Sequence, residues 1–334
     1  MVVRSDGKLA AHSLAERSPG ERTVEHSPVA RSPIAPGECK APFGLRSETG
    51  YLGGVLVHRP GTEVEEMDER YPWRWICDAK PDLPRAQDEH DQMVDHLRRA
   101  GAEVYYLDEW EPKTKVPVNE WFTRDHGFMT PYGAFIAYCD FPREGEEEFV
   151  ARRLVDLGIP IVARVYGEGR MEGGDVIYLD ERTLLVGQSY RTNREGFRQI
   201  QRVMEGAMVD RVIPVPLHRE VMHLDTVFNI AGENVAAAYR QALPEDFLDF
   251  VERRGFEVIS IPPEEYPTLA SNWLCVAPGK VLFIDGVKHN IHTRKELERR
   301  GIEVIPFVMP ELLKGAGGPR CMTFPLYRWR EDVR

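Results

Sequence analysis

The sequence predicts an α/β fold, a five-bladed, pseudo-fivefold α/β propeller of repeated ββαβ units of about 50 residues each. Three observations predict it. Apolar strands begin near Trp121, Met171, Met222, Ser271 and Pro319, at steps of 50, 51, 49 and 48 residues. Between these starts the order strand, strand, helix, strand recurs, the grammar of a radial repeat rather than of an open doubly wound sheet. The opening segment, residues 50–108, is one incomplete unit that the terminal strand CMTFPLYR would complete, closing the ring. A run of similar but unrelated α/β units is the competing reading, since strands and helices alternate in many folds.

The elements follow in order. Residues 1–46 are rich in Ser, Pro, Arg and Glu and lack hydrophobic periodicity, so a flexible leader is expected ahead of a single domain over 47–334. YLGGVLVHRP reads as an apolar strand stopped at Pro60-Gly61. In RAQDEHDQMVDHLRRAG, Met93, Leu97 and Ala100 share one helical face and Gly101 closes the helix. AEVYYL returns as a strand. WFTRDHGFMT and GAFIAYC are strands, EEEFVARRLVDLG a helix, and IPIVARVY a strand. MEGGDVIYLD and TLLVGQ lead into the helix around Phe197, Ile200 and Met204, then DRVIPVPL. MHLDTVFNIAG and NVAAAYR precede the helix PEDFLDFVERRG and the strand FEVISIP. SNWLCVAPG and KVLFID precede TRKELERRG and IEVIPF. Thr192/Glu195 and Thr293/Glu296 have the spacing of capping boxes that start two of the helices.

Composition narrows the function. A net charge of −11 offers no basic face for nucleic acid and suits a cationic small substrate. No run approaches the roughly 18 apolar residues of a membrane span, and the opening 20 residues lack the apolar core of a secretory signal. Five cysteines, Cys39, Cys77, Cys139, Cys275 and Cys321, are scattered without CxxC or metal-type pairing, which favours reduced thiols and a cytoplasmic setting.

The chemistry-bearing residues recur with the repeat. Asp125, Glu172, His223 with Asp225, Asn272 and Cys321 lie one to four residues into the five leading segments, at steps of 47, 51, 49 and 49 between the first residues named. In a fivefold ring such positions converge on the axis. Singly, each has a plain structural explanation: half of an ion pair with Arg124, an acidic turn, a satisfied core histidine, a strand end, a small buried thiol. Together they form a pocket with a nucleophile, Cys321, behind the paired glycines of Gly317-Gly318-Pro319-Arg320.

Carboxylates and burial both raise a thiol pKa, so this set makes chemical sense if the substrate brings the positive charge. A guanidinium does so and pairs with carboxylates through bidentate hydrogen bonds. Asp125 and Asp225 would grip it and Glu172 would hold a further N–H or orient His223. Cys321 would attack its carbon, and His223 would act first as acid and then as base. His223 and Asp225, two residues apart, are expected on one face of a strand. No metal or cofactor is called for, as there is no HExxH or Cys/His ligand spacing.

At WFTRDHGF, MEGGDVIYLD, MHLDTVF and GGPRCMTFPLYR the chain resembles the arginine deiminases of the guanidino-group-modifying (amidinotransferase/deiminase, or pentein) superfamily. VLVHRPGTEVEE, EHDQMVDHLRRAGAEVYYL and SNWLCVAPG…TRKELERRGIEVIPF extend the resemblance over residues of about 50 to 330. It implies the five-bladed propeller, Cys321 as nucleophile, His223 as acid/base, and Asp125, Glu172 and Asp225 as guanidinium ligands. It also implies that Asn119 helps bind the amino-acid end, with Arg143 and Arg191 placed where family arginines approach the substrate carboxylate. Departures border the pocket: Arg320 replaces the usual His before the nucleophile, Lys314 stands where an Arg is typical, and the family's inserted helical subdomain is missing between YYL and WFTRD.

The expected activity is hydrolysis of L-arginine or a close analogue with release of ammonia, as a deiminase or dihydrolase. Two alternatives stay open: an amidinotransferase passing the amidino group to an amine, which FNIAG after the His-Asp segment resembles, and a non-catalytic arginine-binding propeller. Glu-Gly-Gly-Asp at 172–175, in place of an Asp-x-x-Asp-type motif, favours the hydrolase. The expected partner is a small guanidino compound, with homo-oligomerisation left open.

Overall fold

In a computed structural model the described residues are 41–107, 117–286 and 290–329. Most of the expected leader, the 108–116 connection and Cys39 lie outside them. The chain runs β1 (Tyr51–Val57), α1 (Leu83–Arg99), β2 (Glu103–Tyr106), β3 (Gly127–Thr130), β4 (Gly133–Ile136), α2 (Glu147–Asp156) and β5 (Ile161–Arg164). It continues with β6 (Val176–Asp180), β7 (Thr183–Gln188), α3 (Arg194–Met204), β8 (Arg211–Pro216), β9 (Phe228–Gly232), β10 (Val235–Ala238), α4 (Glu245–Arg253) and β11 (Glu257–Ser260). Last come β12 (Leu274–Ala277), β13 (Lys280–Ile284), α5 (Ile291–Arg299), β14 (Glu303–Phe307) and β15 (Phe324–Trp329).

These strands form five three-stranded sheets, β15-β1-β2, β3-β4-β5, β6-β7-β8, β9-β10-β11 and β12-β13-β14. Each is mixed. Its first two strands are antiparallel and its last two parallel, joined by a crossover helix, as in β3/β4 and β4/β5. The fold is the pseudo-fivefold α/β propeller that the 50-residue period predicts. Ring closure is also as expected: β15 pairs antiparallel with β1 from Tyr51↔Trp329 to Leu56↔Phe324.

Five apolar clusters glue the sheets together. Each helix packs against its own sheet and that of the preceding blade; Phe197, Ile200 and Met204 of α3, for example, meet Phe128 and Phe135 of one blade and Val176, Leu184 and Val186 of the next. On α1, Met93 and Leu97 are fully buried while Ala100 is half-buried, and Gly101 takes the left-handed conformation that ends the helix. The helix begins earlier than its periodicity suggested, because Asp82 accepts the Arg85 N–H and Pro84 sits in the first turn.

Three expectations need correction. The fold reaches back before residue 47: Ala41 is buried, Phe43 and Leu45 pack onto the core, and the Gly44 N–H donates to the Leu326 carbonyl at 2.8 Å. Those apolar residues cover the face of β15 next to the first blade. Neither threonine caps its helix. Asn193 caps α3 by accepting from Gly196 N, and Thr192 instead accepts the Glu172 N–H. Asn290 precedes α5, whose first N–H groups (His292 and Thr293) are satisfied by the Glu265 carboxylate from the connection between β11 and β12; the Thr293 hydroxyl donates to it too. No helix among the described residues is long and apolar enough to cross a membrane.

Candidate active site

The expected site residues lie within or immediately before tight turns that precede the leading strands, not in the strands themselves. Thr123–His126, Gly173–Asp175 and Leu224–Thr226 are single 3-10 turns, and equivalent turns hold Asn272 and Cys321. A turn lets short polar side chains project from the end of a sheet, whereas a strand of this burial would require apolar ones. Gly173 shows how closely the turns pack, since a Cβ there would collide with the carbonyl oxygens of Arg124 and Gly127. Gly173→Ala should cost about 1–3 kcal/mol of stability, read as a lower melting temperature.

Neighbouring turns are stapled by side chains. Asn272 Oδ1 accepts from Gly318 N at 3.0 Å and Cys321 N at 3.2 Å, and its amide donates to the Asp225 carbonyl. Its role here is to hold the Cys321 turn. Asp175, which the sequence marked only as part of an acidic turn, does the same for the next pair: it accepts from Leu224 N and from the Ser189 hydroxyl, and burial pushes its pKa up to about 7. Its place three residues after Glu172, behind two glycines, is the available signal. Asn272→Ala would strip two buried N–H groups of their acceptor, at about 1–3 kcal/mol each. We expect that variant to fold with a lower melting temperature and a lower kcat, at little change in KM.

Asp125, Glu172, His223, Asp225 and Cys321 are brought together and are all buried. His223 Nε2 lies 2.8 Å from Glu172 Oε2, and its Nδ1 lies 3.7 Å from Asp125 Oδ1. Burial disfavours the imidazolium, but Asp125 and Glu172 outweigh it and raise His223 to about 9, so it is charged at neutral pH. The Cys321 pKa is raised as well, but here that keeps the group neutral: burial, Asp225 and then Asp125 push it well up. This is the resting thiol expected from the sequence. Its sulfur stands 3.6 Å from Asp225 Oδ2.

His223 and Asp225 do not share a strand face. His223 is extended while Asp225 lies inside the following turn, which aims one at Glu172 and the other at Cys321.

Asp125 and Asp225 each have one oxygen held by an arginine and one that accepts no hydrogen bond. Asp125 Oδ2 accepts from Arg143 at 2.6 Å, and Asp225 Oδ2 accepts from Arg320 at 2.8 Å. Asp125 Oδ1 and Asp225 Oδ1 are buried without a hydrogen-bond partner. Arg143 also donates to Glu146 at 2.6 Å and lies 3.5 Å from Glu172. Arg191 lies deeper than the resemblance implied: it clamps Glu172 and donates to the Phe141 and Asp140 carbonyls, each at 2.9 Å. Asp125, Glu172 and His223 place ligand atoms within 4.8 Å of one another, a spacing that also suits a metal ion. Two guanidiniums and an imidazolium already face these carboxylates, so a further cation of any kind gains most at the two free oxygens.

A pocket opens beside this cluster, and Glu172 and Asp225 are not among its lining residues. Asn119, Asp125, Arg143, His223 and Cys321 line it, with Trp75, Ile76 and Phe122 among the apolar groups and Gly315–Gly317 on another side. Asn229 of FNIAG is spent elsewhere, donating to the Ser271 and Trp273 carbonyls, so that motif is accounted for by packing.

Comparisons with known proteins agree with this architecture. The uncharacterized protein YkgA of Bacillus subtilis (strain 168) is 33% identical over 284 residues, covering 85% of this chain and 94% of its own. An arginine deiminase of Limosilactobacillus reuteri (strain DSM 20016) is 27% identical, covering 88% of this chain and 100% of its own. That alignment runs over 414 positions, more than this chain has residues, so the deiminase carries insertions absent here. A DDAH structure from Pseudomonas aeruginosa, solved with citrulline, superposes with a TM-score of 0.68 at 24% identity and covers 84% of this chain and 100% of that one. AgrE, solved with ornithine and NAD+, gives a TM-score of 0.70 at 19% identity over 84% of this chain and 40% of that one. At such identities the two structures speak for the fold. A model of the eukaryotic N,N dimethylarginine dimethylhydrolase family matches residues 77–328. The chain therefore belongs to that family, within the arginine deiminase-like pentein superfamily, and is a C–N hydrolase of the amidine-hydrolysing kind.

Proposed function

We propose that the protein hydrolyses the guanidino group of L-arginine or a close analogue through a covalent thiouronium on Cys321. One observation carries the reading: two buried carboxylate oxygens that accept no hydrogen bond, Asp125 Oδ1 and Asp225 Oδ1, belong to the same cluster as a buried thiol and a charged histidine. Binding a guanidinium supplies both oxygens with N–H donors. Its charge offsets the carboxylates that hold the thiol neutral, so Cys321 sheds its proton to solvent and attacks the guanidinium carbon. As the tetrahedral adduct collapses, the His223 imidazolium gives its proton to the departing amine. Neutral His223 then takes a proton from water, which adds to the thiouronium carbon. Collapse of this second adduct frees the thiol and a ureido product. Glu172, held by Arg191, fixes the imidazole ring throughout. The Pseudomonas structure holds citrulline, a ureido compound.

The test supplies L-arginine and Nω,Nω-dimethylarginine separately and identifies products by mass spectrometry. Citrulline with ammonia from the first, or citrulline with dimethylamine from the second, supports the reading and names the substrate. An amidino group appearing on an added amine, with no ureido product, would replace it with transfer.

A further inference from the structure

Arg320 is buried beside the nucleophile, and its contacts are all internal. NH1 donates to Asp225 Oδ2 at 2.8 Å, and NH2 donates to Glu48 Oε1 at 3.2 Å and to the Val176 carbonyl at 2.9 Å. The Asp225 oxygen it holds is the one 3.6 Å from the Cys321 sulfur. Glu48 comes from the segment before β1, and it also accepts the Tyr178 N–H at 3.3 Å. A charged chain therefore runs Glu48, Arg320, Asp225, Cys321 through a site where burial weakens screening.

We propose that Glu48 and Arg320 are positioning residues: Arg320 fixes Asp225 and sets a positive charge beside the Cys321 sulfur, and Glu48 limits how much of that charge the sulfur feels. This rests on the reading of Cys321 as nucleophile. The other charged groups around the chain are known. Asp225, Asp125 and the His223 imidazolium belong to the turns around Cys321, while Arg124 and Arg328 flank Glu48 and Arg320. Arg124 is tied to the same turn, its Nε donating to the Arg320 carbonyl at 3.3 Å. Burial and then Arg320 lower the Arg124 pKa while Glu48 raises it, so Arg124 responds to either substitution and Arg320→Lys, which keeps both charges, is the control.

The arrangement predicts effects of opposite sign. Glu48→Gln keeps an acceptor for Tyr178 and Arg320 but removes a negative charge, leaving Arg320 to offset Asp225 alone; the thiol becomes more acidic. Arg320→Gln keeps a donor for Asp225 but removes the positive charge that offsets that carboxylate beside the sulfur; the thiol becomes less acidic. The measurement is the rate of iodoacetamide modification of the Cys321 peptide against pH, by mass spectrometry, on the full chain without substrate. Relative to wild type at one pH, Glu48→Gln should react about threefold to tenfold faster and Arg320→Gln at least about tenfold slower, while Arg320→Lys stays near wild type. Should Arg320→Gln melt below the assay temperature, the shift in Glu48→Gln and its absence in Arg320→Lys decide. Shifts of the same sign in Glu48→Gln and Arg320→Gln, or a wild-type profile in Glu48→Gln, overturn the proposal. Alkylation needs no turnover, so a protein that ignores arginine leaves this test standing.

Discussion

Cys321→Ala is expected to lower turnover of the guanidino substrate by about ten-thousand-fold or more, while the variant still folds and still binds. The reasoning is the division of labour that the proposed mechanism assigns. Gripping the cation falls to Asp125 Oδ1 and Asp225 Oδ1, which the substitution leaves in place. Bond making falls to one sulfur, and no other described thiol can replace it: Cys77, Cys139 and Cys275 are buried, and none of the three lines the pocket. Removing the thiol also empties little space, so the turn that Asn272 holds should persist. Acid-quenched wild-type protein should carry the mass of an amidino adduct on the Cys321 peptide, and the variant none. Titration calorimetry should give a substrate affinity within about tenfold of wild type, since the charge pairing survives. A variant that retained a tenth of the wild-type rate would end the covalent mechanism.

Much of this was legible in the sequence because the fold repeats. A period near 50 places equivalent residues at equivalent sites, so Asp125, Glu172, His223, Asn272 and Cys321 could be aligned without any structure, and the sheets confirm the blades to which they belong. What the period does not encode is the pose of each side chain. Asn272 shares the repeat position of the chemical groups yet holds backbone, because its amide can accept from Gly318 and Cys321 at once. Arg191 was placed by resemblance near a substrate carboxylate, whereas its donors are taken by Glu172 and two carbonyls. Glu48 carries no signal of its own in the sequence, since it falls at the edge of a segment of polar, low-periodicity composition. Its burial comes from a guanidinium 272 positions away in the chain, a pairing that no local pattern announces. The capping boxes failed for a related reason: tertiary partners, Glu172 for Thr192 and Glu265 for Thr293, claimed the side chains first.

His223→Gln is the second large effect expected, with kcat falling by about a hundred- to ten-thousand-fold, the span of a lost general acid and base. Its pH behaviour separates chemistry from packing. In the wild type, burial lowers the His223 pKa, but Asp125 and Glu172 outweigh it and hold the group protonated up to about 9. On the proposed mechanism the departing amine takes its proton from that imidazolium, so kcat/KM should fall as pH rises through about 9, and the glutamine variant should lose that falling limb. Stability is linked to the same proton. A histidine whose pKa is raised on folding contributes fully below its unfolded value of about 6.5 and loses that contribution as pH climbs through the folded value. The shift from 6.5 to about 9 is worth on the order of 3 kcal/mol. Wild-type melting temperature should therefore decline between about pH 6.5 and pH 9.5, and much more steeply than that of His223→Gln. Glu172 keeps Arg191 in the variant, so its carboxylate is not left bare and the comparison stays between folded proteins. Parallel slopes in the two proteins would mean that His223 is neutral when folded, and the acid that releases the amine would have to be sought elsewhere.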